Sequence, residues 1–185
     1  MAINPKTYCA YVEPLEKDNL HRKYHDTQYG FPLADDHELF GRLILEMNQA
    51  GLSWITILKK QENFRAAYSN FNIDAVAAYD EMEVERLKQD AGIIRNRLKI
   101  LAAIHNAQAI KELQKEHGSF KDWIIAQGNI PLEEWVKKFR KIFKFTGPEI
   151  VNEFLMSSGF KAGAHDPECP CYALAQEEIR EHYGI

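Results

Sequence analysis

Apolar positions recur along this chain at helical spacing almost throughout. Ile100, Ala103, Ile104, Ala107, Ile110 and Leu113 follow i, i+3, i+4, i+7 intervals, which predicts a long amphipathic helix ending near Gly118. Leu39, Phe40, Leu43 and Ile44 form a similar stripe behind Asp35 and Asp36, two candidate caps. Ser53 is a candidate cap for the next helix, with Ile57, Leu58 and Phe64 on its apolar side. Asn72–Tyr79 and Met82–Gln89 read as shorter helices, and Ser119 opens another. Pro131 and Pro148 fit first-turn positions, where a missing N–H costs nothing. Gly159 fits a helix stop. A last helix, about Ala173 to His182, is polar and is expected to dock only in part. No period-2 alternation persists long enough for a sheet. The pattern predicts an all-α fold whose N- and C-terminal arms lack strong periodicity and need some other tie.

Composition narrows this modestly. The chain has 185 residues, 45% hydrophobic and 27% charged, which fits one domain spanning residues 1–185 with an ordinary buried core. The net charge of -4 excludes a broadly basic nucleic-acid coat, so any DNA contact must come from local basic patches. No apolar run approaches the roughly 18 residues of a membrane span. The start, MAINPKTYCAYVEP, lacks a signal-peptide layout. A cytoplasmic protein with no membrane partner is therefore expected, and its three cysteines are expected to be thiols or metal ligands.

Those arms hold metal-binding residue types. Cys9 and His25 lie in the first (about 8–30), and His165-x3-Cys169 lies in the second (about 160–172). Together they can form a saturated Cys2His2 tetrahedron, the pattern of a structural zinc. Spacing alone leaves open that these residues are unrelated, or that Cys171 replaces Cys169. The stretch LILEMNQAGLSWITILKK (43–60) sets an acid, Glu46, in an apolar helix, then a turn with Gly51, then Trp54. Periodicity alone favours an exposed helix-end acid; the other reading is an acid held in a pocket. Tyr24 and Tyr29 flank His25 and can pack on a metal site or stack against a base. AGIIRNRLK (91–99) sets Gly92 before Arg95 and Arg97 at a helix start. FRKIFKFTGPEIVNEF (139–154) reads helix, tight hairpin, helix. Its turn, Lys144 to Pro148, can aim N–H groups at an anion. Lys137, Lys138, Arg140, Lys141 and Lys144 add local positive charge. Taken singly, such a run is also the pattern of a solvated helix face.

Taken together, these segments resemble the DNA-3-methyladenine glycosylase I family, a branch of the helix-hairpin-helix DNA glycosylases. YHDTQYGFP is similar to the family's Tyr-His-Asp…Trp-Gly-x-Pro segment. LEMNQAGLSWITILKKQENFR resembles its Leu-Glu-x-x-Gln-Ala-Gly-Leu-Ser-Trp block. DAGIIRNRLKI, FKFTGPEIV and the final His-x3-Cys also correspond, so the likeness runs from about Tyr8 to Tyr172. The resemblance implies an all-α fold with a structural Zn2+ on Cys9, His25, His165 and Cys169, tying the two arms. It implies a base pocket with Glu46 as the catalytic residue, acting by recognition with electrostatic assistance, and Trp54, Tyr24 and Tyr29 as walls. It maps the DNA backbone onto Lys144, Thr146, Gly147 and Arg95. Cys171 becomes a bystander and Asp166 a supporting or capping residue of the zinc site. Several positions depart from the family: Met47 where a small residue is usual, Asn48 after it, Tyr29 for a tryptophan, Tyr11 for an aromatic that is often tryptophan, and His21 where a tyrosine aligns.

The activity implied is hydrolysis of the N-glycosidic bond of 3-methyladenine in duplex DNA by base flipping, in base excision repair, without strand cleavage. The partner implied is double-stranded DNA containing alkylated adenine, met by a monomer. Met47 and Asn48 keep two alternatives open: an altered alkyl-purine preference, or an inactive DNA-binding module on the same fold.

Overall fold

The computed structural model describes residues 6–185; the first five residues of the N-terminal segment read above lie outside it. All regular structure among the described residues is helical. The chain divides into two compact units, one from the described part of Met1–Leu33 with Leu155–Ile185, the other Ala34–Phe154.

The larger unit is built on two helices, α3 (Asp36–Gln49) and α8 (Arg97–His117). Leu39, Phe40, Leu43, Ile44, Leu45 and Met47 are all buried, so the middle of α3 is a core helix on every side. Gly41 makes this possible: a Cβ there would lie 2.3 Å from the Phe71 ring. All six stripe residues of α8, Ile100 to Leu113, are buried as the periodicity predicts. Asp35 caps α3, its carboxylate accepting from the Glu38 N–H. Asp36 caps a different helix. Its carboxylate accepts from the N–H groups of Phe120 and Lys121 and from Gln114 Nε2, at the start of α9 (Phe120–Ala126).

Between them run α4 (Trp54–Leu58), α5 (Gln61–Ala67), α6 (Ile73–Ala77) and α7 (Glu81–Gln89). The single helix expected after Ser53 is thus two, broken where Lys60 adopts φ -109 and ψ 2. Ser53 makes no side-chain cap bond; its hydroxyl pairs with that of Thr56. Pro131 sits one place earlier than expected, as the N-cap of α10 (Leu132–Ile142). Pro148 does open α11 (Pro148–Ser157). Phe120, Trp123, Trp135, Phe139, Phe143 and Phe154 pack ring to ring, with centroids 5.2–6.2 Å apart. This aromatic core packs α9 and α10 against Phe154 of α11, and so brackets the turn 143–147.

The smaller unit shows what the weakly periodic arms form. Its first arm holds two short helices, α1 (Tyr8–Val12) and α2 (Leu20–Thr27), capped by Thr7 and Asn19. Neither is long enough to show a stripe, and α1 buries only Val12. The last helix, α12, runs Pro170–Tyr183 with the proline in its first turn. It is docked along its length, because Ala175, Ile179 and Tyr183 are buried at i, i+4, i+8. The Tyr183 ring stacks on Phe160 at 4.4 Å, and its hydroxyl donates to Ser158 O and accepts from Leu33 N–H. No helix among the described residues is long and apolar enough to cross a membrane.

Candidate functional site

The smaller unit brings Cys9, His25, His165 and Cys169 together, with one ligand atom from each within 4.8 Å of all the others. His25 Nε2 lies 3.3 Å from Cys9 Sγ, 3.2 Å from His165 Nδ1 and 3.7 Å from Cys169 Sγ. His165 Nδ1 is 3.8 Å from each sulfur. A tetrahedral zinc with its usual bond lengths sets N···N near ~3.3 Å and N···S near ~3.6 Å, so the four atoms fit one such ion. The other ring nitrogens are already engaged. His25 Nδ1 is 2.7 Å from Asp26 Oδ1, and His165 Nε2 is 2.7 Å from the Tyr29 carbonyl. Each acceptor selects the tautomer that leaves the inward nitrogen's lone pair free for a metal. Burial, reinforced by neighbouring His25, lowers the pKa of His165 and favours that neutral form.

Supporting contacts join the arms at the same place. The Asp166 N–H donates to Cys9 Sγ at 3.4 Å, while its carboxylate accepts from the Thr7 hydroxyl. Burial pushes the Cys9 thiol up to about 11 and the Cys171 thiol up to about 12, with Cys169 adding to both. A bound cation reverses this for a ligating thiol. Cys171 is outside the four; its Sγ lies 3.7 Å from Asp26 Oδ1. Gly30 lets the chain pass close by. Its φ is +77, and a Cβ would sit 2.5 Å from Ala164 Cβ and 3.2 Å from the His165 ring. Asp26 is the participant that sequence reasoning missed, although a carboxylate next to a candidate ligand histidine was a usable signal. A cavity of about 550 Å³ beside the cluster is lined by Arg22, His25, Asp26, Cys169 and Cys171, among others.

Tyr24 and Tyr29 are buried in this unit, 3% and 6% exposed. Their rings are 5.7 Å apart, and Tyr8 packs edge-on against Tyr29 at 5.2 Å. The Tyr29 ring also meets His165 edge-on, so this residue is engaged with the ligand cluster through both ring and carbonyl.

The larger unit holds the remaining candidates. Glu46 is 1% exposed; periodicity favoured an exposed acid, and the structure corrects that. Trp54 opens α4 and is half-buried. Met47 and Asn48 face the helix packing. Met47 Sδ accepts from Asn106 Nδ2 at 3.1 Å, and Asn48 Nδ2 donates to Ile44 O. Lys99, read only as part of a basic segment, is buried. Its ammonium donates to the carbonyls of Asn48 and Ala50 at 3.1 and 3.0 Å, closing the C-terminus of α3. Arg95 is exposed, whereas Arg97 is paired with Glu81. In the turn after α10, Lys144 is exposed and the Thr146 side chain is buried. The Thr146 hydroxyl turns inward to Phe143 O, which leaves only its backbone for a ligand. A Cβ on Gly147 would meet nothing within 4 Å, so its backbone is approachable.

An all-helical chain with a Cys/His cluster, a buried glutamate and a basic turn is the expected layout of a base-excising DNA enzyme. The comparisons make this specific. The sequence model of the family described as Methyladenine glycosylase matches residues 15–142. DNA-3-methyladenine glycosylase 1 of Escherichia coli (strain K12) is 39% identical, over 89% of this chain and 96% of its own length. A crystal structure of a 3-methyladenine DNA glycosylase I superposes with TM-score 0.76 at 37% identity, covering 86% of this chain and 97% of that one. The Staphylococcus aureus 3-methyladenine DNA glycosylase I, in a structure described as the basis of its 3-methyladenine recognition, gives TM-score 0.74 at 32% identity. It covers 84% of this chain and 92% of its own. The chain belongs to the methyladenine glycosylase family.

Proposed function

We propose that this protein is a monofunctional DNA glycosylase that removes 3-methyladenine from alkylated duplex DNA, the first step of base excision repair. The observation that carries the reading is the buried Glu46 in a chain of this family. In the damaged nucleotide the N3-methylated base is cationic. As the C1′–N9 bond breaks, the base takes the bonding pair and leaves neutral; water adds its oxygen to C1′ and loses a proton. Glu46 accepts hydrogen bonds from the adenine edge and favours positive charge on the base or the developing sugar cation. Trp54 stacks on the extruded base. A cation on an aromatic face gains about 0.5–2 kcal/mol over a neutral base. Flipping is the general route by which enzymes reach a base inside a duplex.

The turn 143–147 serves as the hairpin of a helix-hairpin-helix element. Lys144, the backbone at Thr146 and Gly147, and Arg95 hold phosphates, which supplies local positive charge on a chain of net charge -4. No lysine is placed by motif as a Schiff-base nucleophile, so no strand cleavage is expected. Zinc on Cys9, His25, His165 and Cys169 is structural, because four protein ligands leave no open position. Met47 Sδ and Asn48 Nδ2 are engaged with α8 and with α3 itself, and the alternatives of an altered alkyl-purine preference or an inactive module are separated by the bases released.

The test is chromatography of bases released from methylated duplex DNA. Free 3-methyladenine with unbroken strands is the expected product. DNA binding without base release leaves the binding module as the function.

A further inference from the structure

We propose that Asn106 is a positioning residue that holds the turn 143–147 in register with the helix carrying Glu46. The inference rests on the glycosylase reading and deepens it.

Asn106 is wholly buried in α8. Its side-chain oxygen accepts from the Lys144 N–H at 2.8 Å, and its Nδ2 donates to the Lys144 carbonyl at 3.1 Å. One amide therefore grips both backbone groups of a single exposed residue. The same Nδ2 lies 3.1 Å from Met47 Sδ, immediately after Glu46 in α3. Seven residues earlier on the same face of α8, Lys99 holds the carbonyls of Asn48 and Ala50. The two polar side chains of α8 thus tie the end of the acid-bearing helix and the phosphate-binding turn to one scaffold.

Strain at the turn explains why a clamp is needed there. Phe145 has φ +55 and is 42% exposed, a left-handed conformation that a bulky residue adopts only where its neighbours enforce it. Lys144 on one side is fixed by Asn106, and Thr146 on the other is fixed by burial. Release of Lys144 frees Phe145 to relax, and the amides of Thr146 and Gly147 then lose their aim. An Asn with a purely structural role changes stability alone. A positioning Asn changes DNA binding while leaving the bond-breaking step intact once DNA is bound.

The experiment compares wild type with Asn106→Leu, similar in size and unable to pair, and with Asn106→Ser, which keeps one hydroxyl. Three quantities are read: affinity for an undamaged duplex, its dependence on salt, and the single-turnover rate at saturating methylated DNA. For Asn106→Leu the expected affinity is about tenfold weaker, with a log–log salt slope shallower by about one. Its saturated rate stays within about threefold of wild type, and Asn106→Ser falls between. Unchanged affinity and slope in a folded Asn106→Leu overturn the proposal. Where that variant does not fold, Asn106→Ser and hydrogen exchange at the Lys144 amide of the wild type decide. Rapid exchange at that amide, or wild-type affinity in Asn106→Ser, overturns it equally. A wild type that releases no base sinks the glycosylase reading and leaves the affinity comparison intact. An active wild type beside an unaffected Asn106→Leu sinks only the present proposal.

Discussion

Asp26→Ala probes the proposed zinc site without removing a candidate ligand. Asp26 Oδ1 stands 2.7 Å from His25 Nδ1, and Oδ2 accepts from Arg22 Nε at 2.7 Å. Burial alone would raise the pKa of Asp26, but the hydrogen bonds from His25 and Arg22 hold its carboxyl below the usual range. That charge orients the imidazole and makes it a stronger donor to the metal. Loss of such a partner weakens metal binding by about 10- to 100-fold, which is about 1.4–2.8 kcal/mol. With zinc in excess, the folded state loses the same amount by mass action. In a chain of 185 residues this lowers Tm by about 3–10 °C. The assay is zinc competition against a chromophoric chelator, with thermal melts run before and after metal stripping. Asp26→Asn, which keeps an acceptor, should show a smaller effect. The half-buried Arg22–Asp26 ion pair, at i, i+4 on α2, contributes about 0.5 kcal/mol on its own. Wild-type zinc affinity in Asp26→Ala, or a Tm deficit that persists undiminished in stripped protein, would refute the reasoning.

Gly30→Ala should destabilise the protein by about 2–4 kcal/mol in urea titrations, combining a left-handed φ with the clash against Ala164. Asp36→Ala removes two backbone hydrogen bonds at the start of α9, leaving its Ser119 cap, and should cost about 1–3 kcal/mol; a change below measurement error would remove Asp36 as the tie between α3 and α9. Lys144→Ala should weaken binding to damaged and undamaged duplexes alike and lower the salt slope by about one. An effect confined to damaged DNA would place Lys144 at the base instead of the phosphates.

Long elements were legible in the sequence because a helix such as α8 repeats its apolar signal over several turns, and all six of its predicted core residues are buried. The short helices of the first arm were not. Five and eight residues carry too few turns to show a stripe, and their surroundings are the Cys/His cluster and tyrosine rings, not an apolar face. The burial of Glu46 was beyond periodicity for a related reason. Its neighbours Leu43, Ile44 and Leu45 cover more than one face of α3, so no polar side was marked for it. Residue types at the termini did flag the four cluster residues, whereas only the fold could pair each imidazole with Asp26 or the Tyr29 carbonyl. Local caps were partly readable. Asp35 serves its own helix as expected, but Asp36 serves one more than eighty residues away in the chain.

The central claim, that Glu46 drives excision of 3-methyladenine, is tested most directly by single-turnover base release from methylated duplex DNA, comparing wild type with Glu46→Gln at saturating protein. The account predicts rapid release of free 3-methyladenine by wild type. It also predicts a loss of roughly a hundredfold or more in a folded Glu46→Gln that still binds DNA. Equal rates from the two proteins would contradict it.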